Sequence, residues 1–479
     1  MIEALTALSD EAASDGGDVY CALYEFQDPE AIAHLAALKN RAHVILSNMP
    51  GTTDDKEKTN DTYAPERKQI HAAGADVIDR FMPGGHIGHN KFQVLDKGGP
   101  QAVLFGSTNW TSHGLCAQTN NSVIARSPGL ASAYKAYWDR LKADTQPAGT
   151  NGKAQQSSEF RGENAKPIPS IALEDGSGTV DLWFSPNTPK ARGRNHGPDE
   201  TRPPDLTEVF DIIANAQQAI LFLVFQPGSP SIVDAVADAL KAKPSLFVRG
   251  AVTASQASGE FYTAIHGGGD NGKPAKHQKG DPLLPQDYRV IRAQGITADD
   301  AFGQWEKELN QAGHAIIHDK IVVVDPFSDN CVVVTGSHND GYAASYNNDE
   351  NMAIIHNHRA IAEAYAAHCL DVYDHYAWRY WLSTEQEKAW HFLATDDNWQ
   401  NSYFTPDNQV KSAELAFWLG ATPAADALTT PNDNAAARPR PALQAATGGI
   451  TPAVGPHSAA AHRSRKPAVR PRVKRRKGS

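Results

Sequence analysis

Two short stretches of this chain set the same chemistry-bearing residues at the same steps. His89, Lys91 and Asp96 read H-x-K-x4-D, and so do His318, Lys320 and Asp325. Each is followed by a turn with matching letters, Gly106-Ser107-Thr108-Asn109 and Gly336-Ser337-His338-Asn339. From the lysine to the turn's asparagine the step is 18 residues in the first copy and 19 in the second. One such pattern is weak evidence. Two, each with its own turn, mark a duplicated functional element. In a strand, residues i and i+2 share a face, so each histidine is expected to point with its lysine. Asp96 and Asp325 lie an odd step from their histidines and are expected to hold structure. The turn can return a backbone N–H, the Ser107 or Ser337 hydroxyl and the Asn109 or Asn339 amide toward the His/Lys face.

Two such units facing one another would surround a cavity with two histidines, two lysines and two asparagines. That inventory suits a phosphodiester. Ammonium and amide donors neutralise non-bridging oxygens and stabilise developing charge without a metal. One imidazole can attack phosphorus while the other protonates the leaving oxygen and later activates water or an alcohol. An unperturbed imidazole pKa of about 6.5 serves both tasks.

The elements that must carry these residues also come in pairs. A strand-like run, Cys21 to Gln27, precedes a helical segment from Glu30 to Leu38 and a strand from Ala42 to Ser47. Ile220 to Gln226 is followed in the same way by a helix from Ile232 to Leu240 and a strand from Leu246 to Val252. Both first strands end in Phe-Gln, which sets Phe26 against Phe225 and leaves about thirty extra residues in the second copy. The polar, Gly-rich stretch Ser255 to Pro285, with Lys273, Lys276, His277 and Lys279, accounts for most of them and could form a lid or a solvated loop. Long amphipathic helices near Leu130 to Lys142 and Arg359 to Trp381 close the two units. Strands alternating with helices imply an α/β fold: duplicated lobes, each a mixed sheet flanked by helices. The Val180 to Pro186 strand has no counterpart in the first unit. The domains expected are an N-terminal lobe over 1–145, a linker over 146–175, a C-terminal lobe over 176–420 and a disordered Ala/Pro-rich and basic tail over 421–479.

The chain's 479 residues, 41% hydrophobic and 21% charged, describe an ordinary globular protein. No run of 18 apolar residues exists and Met1 to Thr6 lacks signal-peptide character, so a cytoplasmic or peripheral membrane location is expected. The four cysteines show no C-x-x-C spacing and are read as reduced packing residues. The tail from Arg463 to Lys477 holds nine Lys/Arg and no Asp or Glu; with −10 overall, the remainder carries −19. Such a tail attracts anionic lipid and nucleic-acid phosphate alike, or serves as a targeting or solubilising segment. Three lesser patterns fail. His86-Ile87-Gly88-His89 spells a nucleotide-binding signature without its K-M-S-K-S partner. Gly267 to Lys273 fits G-x4-G-K but Pro274 follows where Ser or Thr is required. The histidine pairs 86/89 and 314/318 lack the glutamate and cysteine context of a zinc site. Trp110, Phe302 and Trp305 are read as core before substrate lining.

The paired motifs resemble the phospholipase D superfamily, here with two HKD motifs in one polypeptide, and the resemblance spans roughly Asp18 to Trp381. It implies two lobes about a pseudo-twofold axis, one shared site and catalysis without cofactor or metal. By motif it carries over His89, Lys91, Asn109, His318, Lys320 and Asn339 as site residues. The family usually places a carboxylate about eleven residues after the turn's Asn, to orient a histidine. Glu350 stands there after Asn339, whereas Asn120 stands there after Asn109. A similar asymmetry occurs in tyrosyl-DNA phosphodiesterases. Taking each support as belonging to its own lobe, Glu350 backs His318 as general acid/base, and His89 is the nucleophile. The activity expected is hydrolysis or transphosphatidylation of a glycerophospholipid at a membrane surface, by a monomer. The alternatives are a nuclease or nucleic-acid phosphodiesterase and a catalytically silent binding protein.

Overall fold

β-Branched and aromatic residues between polar turns build the strands of both lobes. A computed structural model of the chain describes residues 1–48, 61–146, 154–174, 176–193, 200–267, 287–293, 316–384, 396–404 and 409–419. Residues 1–427 form one compact unit. The basic tail, the four basic residues at 273–279, Phe302 and Trp305 lie outside the described residues. Among the described residues no helix is long and apolar enough to cross a membrane.

The first lobe contributes β1 (Asp18–Leu23), β2 (Ala42–Ser47), β3 (Asp76–Arg80), β4 (Lys91–Asp96), β5 (Pro100–Gly106), β6 (Gln118–Thr119) and β7 (Ser122–Ala125). Its sheet runs β3-β2-β1-β4-β5-β7, parallel on the β1–β3 side and antiparallel from β1 to β7. The second lobe adds β8 (Ile168–Ala172), β9 (Thr179–Ser185), β10 (Ala219–Val224), β11 (Phe247–Val252), β12 (Val290–Arg292), β13 (Ile316–Ile317), β14 (Lys320–Val324), β15 (Val332–Gly336) and β16 (Glu350–His356). Its sheet, β12-β11-β10-β14-β15-β16-β9-β8, repeats the first lobe's order and extends it by two strands. The duplicated α/β architecture is therefore present, and β9 is the Val180 strand that the first sheet lacks.

Helices lie between strands as the sequence implies. Asp28 caps the helix Pro29–Ala37 by accepting from the N–H groups of Glu30 and Ala31. Ser231 and Asp234 form a capping box on the helix Ile232–Ala242. The closing helices run Pro128–Ala143 and Arg359–Thr384. One apolar cluster unites the lobes, with Phe92, Phe105, Tyr134, Phe184, Ile321 and Ile355 among its members. Separate clusters back the outer face of each sheet.

Three expectations change. The stretch read as a linker holds the helix Ser158–Asn164, with Phe160 and Arg161 buried, and strand β8. Its polar composition hid a helix whose arginine is consumed by buried carbonyls of Gln156, Thr188 and Tyr346. The insertion read as polar and loop-like begins with the helix Ser255–His266, seated on the core by Phe261. Finally, Leu23 pairs with Lys91 and Val224 with Lys320. Tyr24, not Phe26, is thus the counterpart of Phe225. The shared Phe-Gln letters are out of register by two, and Glu25 corresponds to Gln226.

Candidate active site

Each histidine sits just before the strand that carries its lysine, and both positions are tied across the lobe boundary. β6 pairs with β13, and His318 N–H donates to Thr119 O at 3.0 Å. On the opposite side Asp349 N–H donates to Ile87 O at 3.0 Å. These backbone bonds bring residues 118–120 beside His318 and residues 348–350 beside His89. The two imidazoles face each other with ring centroids 6.3 Å apart, each about 96% buried or more.

Support for the histidines is exchanged between lobes. His89 Nδ1 lies 2.8 Å from Glu350 Oε2 and 3.1 Å from Ser337 O. His318 Nδ1 lies 2.8 Å from Asn120 Oδ1. The expected pairing of Glu350 with His318 is thereby overturned: Glu350 stands behind His89, and Asn120 behind His318. The amide's orientation is fixed, because Asn120 Nδ2 donates to Gly114 O at 2.8 Å and Ser107 Oγ donates to Asn120 Oδ1 at 2.9 Å. Both rings thus place Nδ1–H on the supporting group and leave Nε2 for the cavity. Burial, then the ammonium groups of Lys91 and Lys320, holds His89 well below the usual imidazole range. His318 is lowered in the same way. Glu350 is raised by burial. The apo site therefore favours neutral imidazoles.

The lysines are held alike. Lys91 Nζ donates to His89 O at 2.7 Å and Lys320 Nζ donates to His318 O. Each ammonium also lies over the aromatic ring that follows β1 or β10, Lys91 over Tyr24 at 5.3 Å and Lys320 over Phe225 at 5.4 Å. The same rings meet the histidines, Tyr24 with His89 at 5.1 Å and Phe225 with His318 at 5.0 Å. Burial lowers both lysines, Lys320 to about 8. An anion bound beside them would favour their charged forms.

The turn residues divide their work. A Cβ on Gly106 would meet Asn121 O at 2.3 Å and one on Gly336 would meet Asn351 O at 2.4 Å, so the close approach requires glycine at both. Ser107 and Ser337 hydroxyls accept from the N–H groups of Asn121 and Asn351, each at 3.0 Å. They organise the supporting strand rather than face the cavity. Asn109 Nδ2 donates to Glu25 at 2.6 Å; the buried Oδ1 atoms of Asn109 and Asn339 find no partner among the described residues. Asp96 accepts from Gly99 N–H, and Asp325 from the N–H groups of Gln217, Gln218 and Ala219. Trp110 is fully buried and bridges to Phe26.

Sequence reasoning missed Tyr24, Phe225, Glu25 and a polar clamp across the lobes. Arg80, 1% exposed, bonds Asp349 and Asp144 at 2.8 Å each. Asp349 adjoins Glu350, so this clamp anchors the strand that supports His89. An arginine ending a strand gave no local signal. Among the described residues, Asp181, Glu208 and His356 form a group able to hold a metal ion. It stands at the far end of β16 from Glu350, about 20 Å away at the rise of a strand. Trp183 Nε1 and Ser170 N–H already donate to its carboxylates. The four cysteines are unbridged, with Cys116 exposed and the others buried.

The chain matches the profile of a family described as cardiolipin synthase, PLD-like domain, over residues 11–142 and 209–369. Among solved structures it is similar to phosphatidylserine synthase from Haemophilus influenzae, with 12% identity, 77% of this chain and 83% of that one covered, and a TM-score of 0.45. It is similar also to polyphosphate kinase from Porphyromonas gingivalis (11% identity, 74% of this chain, TM-score 0.40), of which it spans only 46%. A third similar structure is yeast tyrosyl-DNA phosphodiesterase (12% identity, 74% of this chain and 86% of that one, TM-score 0.36). No curated protein matches the chain.

Proposed function

On the premise that the chain belongs to the phospholipase D-like family, whose members are phosphodiesterases and phosphotransferases, we propose that it is a metal-independent phospholipase D-type enzyme acting on a glycerophospholipid. The observation that carries this reading is the facing of two imidazoles at 6.3 Å, each tied behind through Nδ1. Reacting atoms approach to about 3–3.5 Å before bond formation, so one phosphorus fits between two ring nitrogens on this scale. The lipid assignment draws on the family's description, since cardiolipin is a phospholipid, and on both motifs residing in one chain.

Lys91 and Lys320 hold the non-bridging oxygens. Nε2 of His89 attacks phosphorus, and the bond to the leaving alcohol breaks as that oxygen takes a proton from Nε2 of His318. The proton on His318 arrives with substrate, because the diester's negative charge offsets the two lysines. Water, or an acceptor alcohol, then gives its proton to His318 and displaces His89 from phosphorus. His89 is the nucleophile because phosphorylation makes its ring cationic, and Glu350 stabilises that charge. His318, backed only by an amide, is the stronger acid once protonated. The roles match those expected from sequence, on the opposite pairing.

The test is turnover in EDTA of phosphatidylcholine and phosphatidylglycerol vesicles, beside single-stranded DNA, by the wild type, His89→Ala and His318→Ala. Lipid cleavage that both substitutions abolish is expected. DNA cleavage without lipid cleavage, or inactivity on all three, would sink the lipid assignment.

A further inference from the structure

Around the cavity both lobes carry the same histidine, lysine, serine and asparagine, and two of their differences set a carboxylate in one lobe against an amide in the other. One is the support of the histidines. The other is the residue after the aromatic ring, Glu25 in the first lobe and Gln226 in the second. Gln226 is exposed, whereas Glu25 is partly buried. The backbone of Glu25 is fastened to the turn that bears Asn109, since Trp110 N–H donates to Glu25 O at 3.1 Å. Its side chain accepts from Asn109 Nδ2 at 2.6 Å, and among the described residues that is its only donor. One carboxylate oxygen is left without a partner there. Both lysines lie within its electrostatic reach, and they pull its pKa down against the larger upward push of burial.

A carboxylate here works against phosphate binding. It offsets part of the positive charge that Lys91 and Lys320 supply, and it repels the diester's oxygens. The lobe-two counterpart shows that the fold does not require a charge at this position. An acceptor with a free oxygen, set beside a phosphate site, gains only if it meets a donor that the phosphate itself lacks. We infer that Glu25 is a specificity-determining residue, accepting a hydrogen bond from a hydroxyl or ammonium group on the alcohol that leaves or enters at phosphorus. The substrate class is therefore a phosphodiester whose small alcohol bears such a donor close to the ester oxygen. This rests on the phosphodiesterase reading above and narrows it.

The experiment compares phosphatidylglycerol, phosphatidylethanolamine and phosphatidylpropanol in identical mixed micelles, with wild type, Glu25→Gln and Glu25→Ala. Propanol matches the size of the other headgroups but offers no donor. The quantity read is the ratio of kcat/KM between donor-bearing and propanol diesters. A hydrogen bond to a charged group predicts a wild-type ratio of about 10- to 100-fold, falling toward one in Glu25→Gln. A second arm offers glycerol or 1-propanol as acceptor to a nitrophenyl phosphatidyl ester, which separates the entering alcohol from the leaving one. A preference in either arm that Glu25→Gln removes supports the inference. A wild-type ratio near one in both arms overturns it. So does an equal loss on all diesters with the ratio intact, which would reduce Glu25 to a positioning residue for Asn109. A wild type inactive on every diester instead removes the parent reading, and this one with it.

Discussion

The two lobes carry the same histidine, lysine and turn, yet one histidine leans on a carboxylate and the other on an amide. Each support comes from the opposite lobe, Glu350 to His89 and Asn120 to His318. A pseudo-symmetric fold thus yields two chemically distinct imidazoles through a single exchanged residue. The exchange also means that neither lobe by itself supplies the Nδ1 partner of its own histidine.

The comparison breaks most directly if the roles are reversed. With a nitrophenyl diester, whose leaving group needs no proton, His318→Ala should still form the covalent adduct and stall before its hydrolysis. His89→Ala should form none and lose about 10⁴- to 10⁶-fold in turnover, as removal of a nucleophile does elsewhere. Peptide mapping of the trapped phosphohistidine reads the outcome. An adduct on His318 would reverse the assignment.

Exchanging the supports sharpens it further. Glu350→Gln should cost about 10²- to 10⁴-fold in kcat, the range of losing a carboxylate behind a catalytic imidazole. Asn120→Asp should act on the other ring. A carboxylate there favours the charged imidazole and raises its pKa by about 1–3 units. His318 must be neutral to take the proton of water, so the acid limb of the hydrolysis profile should move to higher pH by that amount. An unmoved acid limb in Asn120→Asp would argue that His318 is not the group that titrates.

The clamp beneath His89 has a thermodynamic signature instead. Arg80→Met leaves Asp144 and Asp349 buried without their cation, and breaking such a pair costs about 3–5 kcal/mol. Denaturant unfolding should show that loss. Since Asp349 adjoins Glu350, kcat should fall as well in protein that remains folded.

Much of this site was readable from residue order alone. The two H-x-K steps, the glycine-serine turns and the helix-strand alternation follow from local rules of spacing and propensity. What local order hid was partnership. The spacing from Asn339 to Glu350 reports the β15–β16 hairpin, in which Gly336 pairs with Met352. It says that Glu350 lies near the turn, and nothing of which histidine it meets. That choice is made by β6 on β13 and by Asp349 on Ile87, contacts between segments 198 and 262 residues apart in number. Glu25 was hidden for a related reason. The repeated Phe-Gln letters set Phe26 against Phe225, and only strand register reveals that the aromatic on His89 is Tyr24.

The lysines offer the gentlest test of the lobe comparison. Both are buried, but Lys91 is lowered by burial and then by Lys320, whereas Lys320 is lowered by burial while Glu350 and Asp319 support its charge. A lysine lowered to about 8 is charged below that pH and neutral above it. The cation that receives the phosphate is therefore present at neutral pH and lost as pH rises through about 8. KM should climb above that point, by about tenfold per unit at most, with a smaller change in kcat. Lys320→Arg keeps its charge across this range, so its profile should lose the limb even if its absolute rate is lower. A limb that persists unchanged in Lys320→Arg would assign the titration to Lys91 instead, and place the weaker cation in the first lobe.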